Sequence, residues 1–270
     1  MRSDGDVARN AARAEELIRE AVAGGAGYVQ TPEVTNLIPE SGAALADAIH
    51  AQADDPTLAR MRALAAELEV TIHLGSLAVR AEGDGDARAA NRAFLIGPDG
   101  AVLATYDKIH MFEADLGEKG RYREAARYRP GTRAVVADCA LGRLGLGICY
   151  DMRFPALWRA MAKAGAQVLS APSAFTVPTG EAHWHVLLRA RAVETGCWML
   201  AAAQWGRHGG TDEGTLRESY GHSLIVDPWG RVVADGGEGE GVVAAEIDLG
   251  AVEAARARIG SLTQDRPFDL

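Results

Sequence analysis

The order of elements along this sequence predicts an α/β fold with mixed sheets. Three observations carry that expectation. Apolar residues at helical spacing alternate with short apolar strands; several strands come instead as hairpins around glycine-containing turns; and no linker, low-complexity tract or repeat divides the 270 residues. A single domain over residues 1–270 follows, with helices covering the outer faces of the sheets.

Each element has a local reason. Val7, Ala11, Ala14, Leu17, Ile18 and Ala21 recur at helical spacing, with Asp4 and Asp6 as caps and Gly24-Gly25 as the stop. Tyr28 to Thr31 reads as a strand ending at Pro32-Glu33. A second helix is predicted over Pro56 to Glu69 and a strand over Val70 to Val79. Strands 93–96 and 101–104 flank the turn Gly97-Pro98-Asp99-Gly100, and strands 134–137 and 144–148 flank a turn containing Gly142. Between these hairpins, residues 108–131 are polar, aromatic and irregular, as functional loops often are. A helix at 155–164, a strand at 167–170, a helix at 179–195 and a strand at 197–203 come next. A last hairpin pairs 223–226 with 231–234 around Asp227-Pro228-Trp229-Gly230, and Val242 to Ile247 reads as one more strand.

Composition narrows the function classes. Hydrophobic residues make up 48% and charged residues 24%, enough to bury a sizeable core. The formal charge of −9, with no Lys/Arg cluster, argues against nucleic acid and anionic membranes as partners. The longest apolar stretch, around Cys197 to Ala203, is far short of the roughly 18 residues a spanning helix needs. The N-terminus has no apolar signal core, and the three cysteines form neither a disulfide framework nor a zinc-ligand spacing. A reducing, cytoplasmic setting is expected.

Three reactive side chains fall just beyond predicted strands, where active-site groups of α/β folds tend to sit. Cys149 follows Leu144 to Ile148 at a strand-to-helix turn, the geometry that presents a nucleophile beside backbone N–H groups. Glu33 follows the first strand behind Pro32, and Lys108 follows the strand that ends in Ala104-Thr105. Singly, each has an ordinary explanation: a core cysteine, a solvated carboxylate, a surface lysine. Cys139 and Cys197 read as core, as do Leu157 and Trp158, while Arg189, Arg191 and Glu194 form a candidate ion-pair group. A papain-style Cys–His pair is disfavoured, because no CGSCW context surrounds Cys149.

The strings TPE (31–33), YDKIHMF (106–112), GLGICYDMRFP (145–155), PSAF (172–175), TG-x-AHW (179–184), LLRARAVE (187–194) and SYGHSLIVDPWG (219–230) run in order over nearly the whole chain. In this ordered set the sequence resembles the nitrilase-like carbon–nitrogen hydrolase family. The resemblance implies a four-layer α-β-β-α sandwich and a hydrolase that cleaves a small organic amide through a cysteine thioester. It implies Cys149 as nucleophile, Glu33 as proton acceptor and donor, Lys108 beside the oxyanion, and Glu124 as a second glutamate, with Glu113 and Glu118 in the same loop. The backbone N–H of Tyr150 is the expected second oxyanion donor, and Phe175, Thr176, Trp184 and Tyr220 are expected pocket walls. The chemistry needs no metal or organic cofactor. A homodimer or higher homo-oligomer is implied, with residues 259–270 reaching a neighbouring subunit.

Within the family, AQWGRH (203–208) and RESYGHS (217–223) resemble the deaminated-glutathione amidase branch, which implies a short acidic 2-oxo-dicarboxylate amide with Arg207 and Arg217 on its carboxylates. Alternatives are 2-oxoglutaramate hydrolysis, N-carbamoyl or nitrile hydrolysis by the same triad, or a catalytically silent interaction protein. Two departures from the family pattern stand out. Ala156 occupies a position that is usually Glu, and the strand expected before the first helix is absent, with Met1 where that strand would end. An annotated start at an internal Met would account for the second.

Overall fold

The computed structural model describes residues 1–81, 86–115, 117, 121–209 and 217–269. Helix α1, Val7–Ala23, starts where the Asp6 side chain accepts from the Arg9 N–H and stops at Gly24. Strand β1, Tyr28–Gln30, follows, then the short helix α2, Gly42–Ala48, capped by Ser41, which the apolar pattern does not signal. Helix α3, Pro56–Leu68, has Asp55 as its cap and proline in its first turn. Strands β2, Thr71–Arg80, β3, Ala89–Ile96, and β4, Val102–Asp107, complete a four-stranded sheet in the order β1-β2-β3-β4, with β1 parallel to β2 and the other pairs antiparallel. Within the long polar loop, β5, Glu113–Asp115, pairs with β6, Arg121–Arg123.

The second sheet begins with the hairpin β7, Val135–Cys139, and β8, Gly142–Leu146. A 3₁₀ turn over Cys149–Arg153 leads into α4, Pro155–Lys163, then β9, Val168–Ser170, α5, Val177–Thr195, and β10, Trp198–Ala201. An unforeseen hairpin, β11, Trp205–His208, with β12, Arg217–Tyr220, precedes β13, Leu224–Val226, and β14, Val232–Asp235. Helix α6, Gly250–Arg258, closes the described chain. The six strands run in the order β14-β13-β10-β9-β8-β7, with β8, β9 and β10 parallel.

Alternation along β3 shows how the layers stack. Phe94 and Ile96 point into a core shared with Leu17, Ile18, Met61 and Leu64 of α1 and α3. Ala93 and Leu95 point the other way, into a core shared with Leu144, Leu146, Val168 and Leu200 of the second sheet. On the far side of that sheet, Trp158, Met161, Trp184 and Leu188 of α4 and α5 pack inward. The result is the expected α-β-β-α sandwich.

The edge beside β1 meets one expectation and departs from another. Among the described residues no strand precedes α1, and residues 242–247, read from sequence as a strand, form no ladder. The missing ladder at 242–247 has a physical cause: an extended segment becomes a strand only when a neighbour at hydrogen-bonding distance completes its backbone pairing. Here residues 241–247, β1, α1 and Met1 instead line a groove of about 640 Å³. The C-terminal segment bears on its own chain, since Arg159 donates to the Ser261 carbonyl at 2.7 Å and Asp265 pairs with Arg159 and Lys163. No described helix is long and apolar enough to cross a membrane.

Candidate active site

Glu33, Lys108 and Cys149, 75 and 116 residues or fewer apart in sequence, meet because β1, β4 and β8 end on the same side of the sandwich. All three are buried. Lys108 Nζ lies 2.8 Å from Glu33 Oε1, and 2.9 and 2.8 Å from the two oxygens of Glu124. Glu124, in a 3₁₀ turn after β6, also accepts from the Phe112 N–H at 2.6 Å. Glu113 instead accepts from the Ala125 N–H at the loop surface, and Glu118 lies outside the described residues. The second oxygen of Glu33 accepts from the Ala174 N–H at 2.8 Å, and Asn91 Nδ2 donates to Glu33 and Glu124 at 2.9 and 3.3 Å. Asn91 was invisible to sequence reasoning; its only signal is a polar residue inside the apolar β3 run.

Electrostatics assign the protons. Burial alone would raise the Glu33 carboxyl, but the Lys108 charge, the Lys108 hydrogen bond and a hydrogen bond from Cys149 leave it below the usual range. Burial works against the Lys108 cation, yet Glu124 and Glu33 together hold it well above the ordinary lysine value. Burial and then the Glu33 charge push the Cys149 thiol up, with Lys108 opposing. The resting cluster is therefore carboxylate, ammonium and neutral thiol, with the thiol proton directed at Glu33.

Cys149 is held in the left-handed region, φ 48°, at the start of its 3₁₀ turn, and its N–H donates to the Pro172 carbonyl at 2.9 Å. Asp151, fully buried two residues on, braces this elbow. It accepts from Tyr106 Oη at 2.7 Å, from the His110 N–H at 3.0 Å and from the Ile148 N–H at 2.9 Å. Arg191 adds a second brace by donating to the Met152 carbonyl at 2.8 Å while pairing with Glu194. The structure thus gives the arginine–glutamate group on α5 a supporting task beneath the Cys149 turn.

A cavity of about 720 Å³ opens above Cys149. Tyr150, Phe175, Thr176 and Arg217 line it, as does His208. Three other residues expected there do not. Trp184 is fully buried behind Phe175, its ring centroid 5.2 Å away, and its indole N–H donates to the His222 carbonyl. Arg207 and Tyr220 are excluded by the pleat of the β11–β12 hairpin. Cross-strand partners share a face, so His208 and Arg217 look inward while Arg207 and Glu218 look outward. Tyr220 follows Glu218 by two and packs on Gly180 instead. His208 forms no pair with the cysteine: its two nitrogens engage the Ser3 carbonyl and Ser219 Oγ. Ala156 is exposed in the first turn of α4, which has no acidic residue there.

Comparison with known proteins identifies the family. The family model for carbon–nitrogen hydrolases matches residues 1–257. The chain is 37% identical over 258 residues to the deaminated glutathione amidase of Yersinia enterocolitica, covering 95% of this chain and 87% of that one. It is 39% identical over 271 residues to the Synechocystis enzyme of the same name, covering 99% and 96%. Among solved structures, the C. elegans NitFhit protein superposes with a TM-score of 0.89 at 39% identity, covering 98% of this chain and 63% of that longer one. An amidase from Nesterenkonia sp. AN1, whose structure shows Michael addition of acrylamide at its active-site cysteine, gives 0.76 at 25% identity, covering 96% and 95%. The chain belongs to the carbon–nitrogen hydrolase family.

Proposed function

We propose that this hydrolase cleaves the amide of a short 2-oxo-dicarboxylate derivative, deaminated glutathione first among candidates, with Cys149, Glu33 and Lys108 as its catalytic residues and Glu124, the second glutamate, holding Lys108 in place. One observation carries the reading: a neutral buried thiol, an ionised carboxylate and a fixed ammonium share one water-poor floor beneath an open cavity. Cys149 passes its proton to Glu33 as sulfur attacks the carbonyl. Charge that develops on the oxygen is met by Lys108 and the Tyr150 N–H, both in place before reaction. Glu33 then protonates the departing amine, leaving a thioester. A water that gives Glu33 its proton attacks that thioester, releasing the acid and restoring the thiol. Glu124 and Asn91 position Lys108 and Glu33 rather than touching substrate.

The names of the relatives and the inward-facing Arg217 support the acidic substrate. Arg217 forms no ion pair among the described residues, and its guanidinium suits a substrate carboxylate. We read the whole chain as one domain working as a homo-oligomer in the cytoplasm. The test is release of 2-oxoglutarate from deaminated glutathione and from 2-oxoglutaramate, with Cys149→Ala as the blank. Faster turnover of deaminated glutathione that vanishes in the blank is expected. Faster turnover of 2-oxoglutaramate, or none of either by folded protein, overturns the substrate reading.

A further inference from the structure

Outside the cavity, three side chains converge from three separate elements. His185 lies on α5, His222 in the turn between β12 and β13, and Asp235 at the end of β14. Asp235 Oδ2 is 2.9 Å from His185 Nε2, and Asp235 Oδ1 is 3.0 Å from His222 Nδ1. One donor atom from each of the three lies within 4.8 Å of both others.

The cluster is held in place from behind. The Gly237 N–H donates to Asp235 Oδ1 at 2.8 Å, and the His222 carbonyl accepts from the buried Trp184 indole at 2.8 Å. His222 itself sits at φ 56°, a conformation that strains a non-glycine residue and persists only when its surroundings fix it. The catalytic reading uses none of these residues.

We propose that His185, His222 and Asp235 bind one first-row divalent cation of the zinc class, through two imidazole nitrogens and one carboxylate oxygen. Imidazole and carboxylate are the donors such ions favour, and three protein ligands leave room for water in the shell. Bonds of about 2.0–2.1 Å place tetrahedral donors about 3.3 Å apart. The carboxylate–imidazole distances of 2.9 to 3.2 Å therefore need to open by less than an ångström. On binding, each imidazole stays neutral while its proton shifts to the other ring nitrogen, freeing the lone pair that faces the ion. Both histidines are half-buried and Asp235 is exposed, so an ion can enter and be hydrated.

The site would act as a clamp. It ties α5, which begins directly after the cavity residues Phe175 and Thr176, to the corner that follows β12, the strand carrying Arg217.

Isothermal titration of the full chain with zinc chloride tests the proposal, in the wild type and in a Cys149→Ala background that removes the cavity thiol. One ion per chain is expected in both, with a rise in melting temperature. His185→Ala and His222→Asn should each weaken binding more than about tenfold, since even outer-shell partners of metal ligands are worth about 10–100-fold. Asparagine tolerates the left-handed conformation at position 222. Should either variant fail to fold, Asp235→Asn keeps the hydrogen-bonding shape without the charge, and should weaken binding likewise. No zinc binding by the folded wild type, or equal binding by the variants, overturns the site.

Discussion

Two clusters of carboxylate and nitrogen base stand at opposite ends of the burial scale. Around Lys108, the buried Glu33 and the largely buried Glu124 flank one buried ammonium on the cavity floor and are knitted to backbone N–H groups. Around Asp235, one carboxylate and two imidazoles sit half in solvent. The same kind of contact has different consequences. In the sealed cluster no member can be removed without stranding a charge, so charges and protons are fixed before substrate arrives. In the open cluster water can substitute for any member, which permits exchange and ligand binding but contributes little stability.

The largest effect is expected from breaking the sealed cluster. Lys108→Met should lower kcat/KM by at least about 100–1000-fold and unfolding stability by about 3–5 kcal/mol, because the buried Glu33 and its largely buried neighbour Glu124 are left without their cation. Turnover assays and urea melts check this; a variant of wild-type stability would show that the carboxylates are not buried as charges.

A second prediction separates the faces of the β11–β12 hairpin. Arg217→Ala should reduce kcat/KM for a dicarboxylate substrate by about 10–100-fold, as loss of a charged hydrogen bond does, whereas Arg207→Ala should stay within about twofold. Equal losses would mean that both side chains reach the substrate.

The third concerns pH. Burial holds His73 down to about 3 and His208 down to about 4, so below the ordinary histidine value of 6.5 the unfolded chain takes up protons that the folded chain does not. Stability should therefore fall as pH drops from 6.5 toward 4, by up to about 1.4 kcal/mol per pH unit for each histidine. His73→Gln should flatten the slope. Glu33 acts below that window and in the same direction: its depressed carboxyl contributes stability that is fully present above its unfolded value of 4.5 and is lost as pH falls through the lower folded value. Activity per folded molecule should hold down to about pH 5.

The smallest effect is expected in the open cluster without metal. Asp235→Asn should change stability by no more than about 1 kcal/mol, the range of exposed ion pairs. A larger loss would place that cluster among the sealed kind.

Much of this was legible in the sequence because it rests on local rules. The cap at Asp6, the stop at Gly24 and the turn at Asp99-Gly100 name their elements directly. What escaped had weak local signals. Helix α2 has seven residues and one buried side chain, and the β11–β12 hairpin carries polar residues on both faces. The stretch 242–247 had the pattern of a strand but lacks a partner, which no local pattern can reveal.

The site divides the same way. By itself the sequence placed Glu33, Lys108 and Cys149 just beyond strand ends, because periodicity and turn chemistry act between near neighbours, and the family resemblance of the ordered motifs singled them out. Only the tertiary structure decided that Asn91 joins Glu33, that Asp151 and Arg191 brace the Cys149 turn, that Arg217 faces the cavity while Arg207 does not, and that His185, His222 and Asp235 meet. Those outcomes depend on which faces two distant segments turn toward each other, and on the burial that sets each charge, neither of which exists until the layers pack.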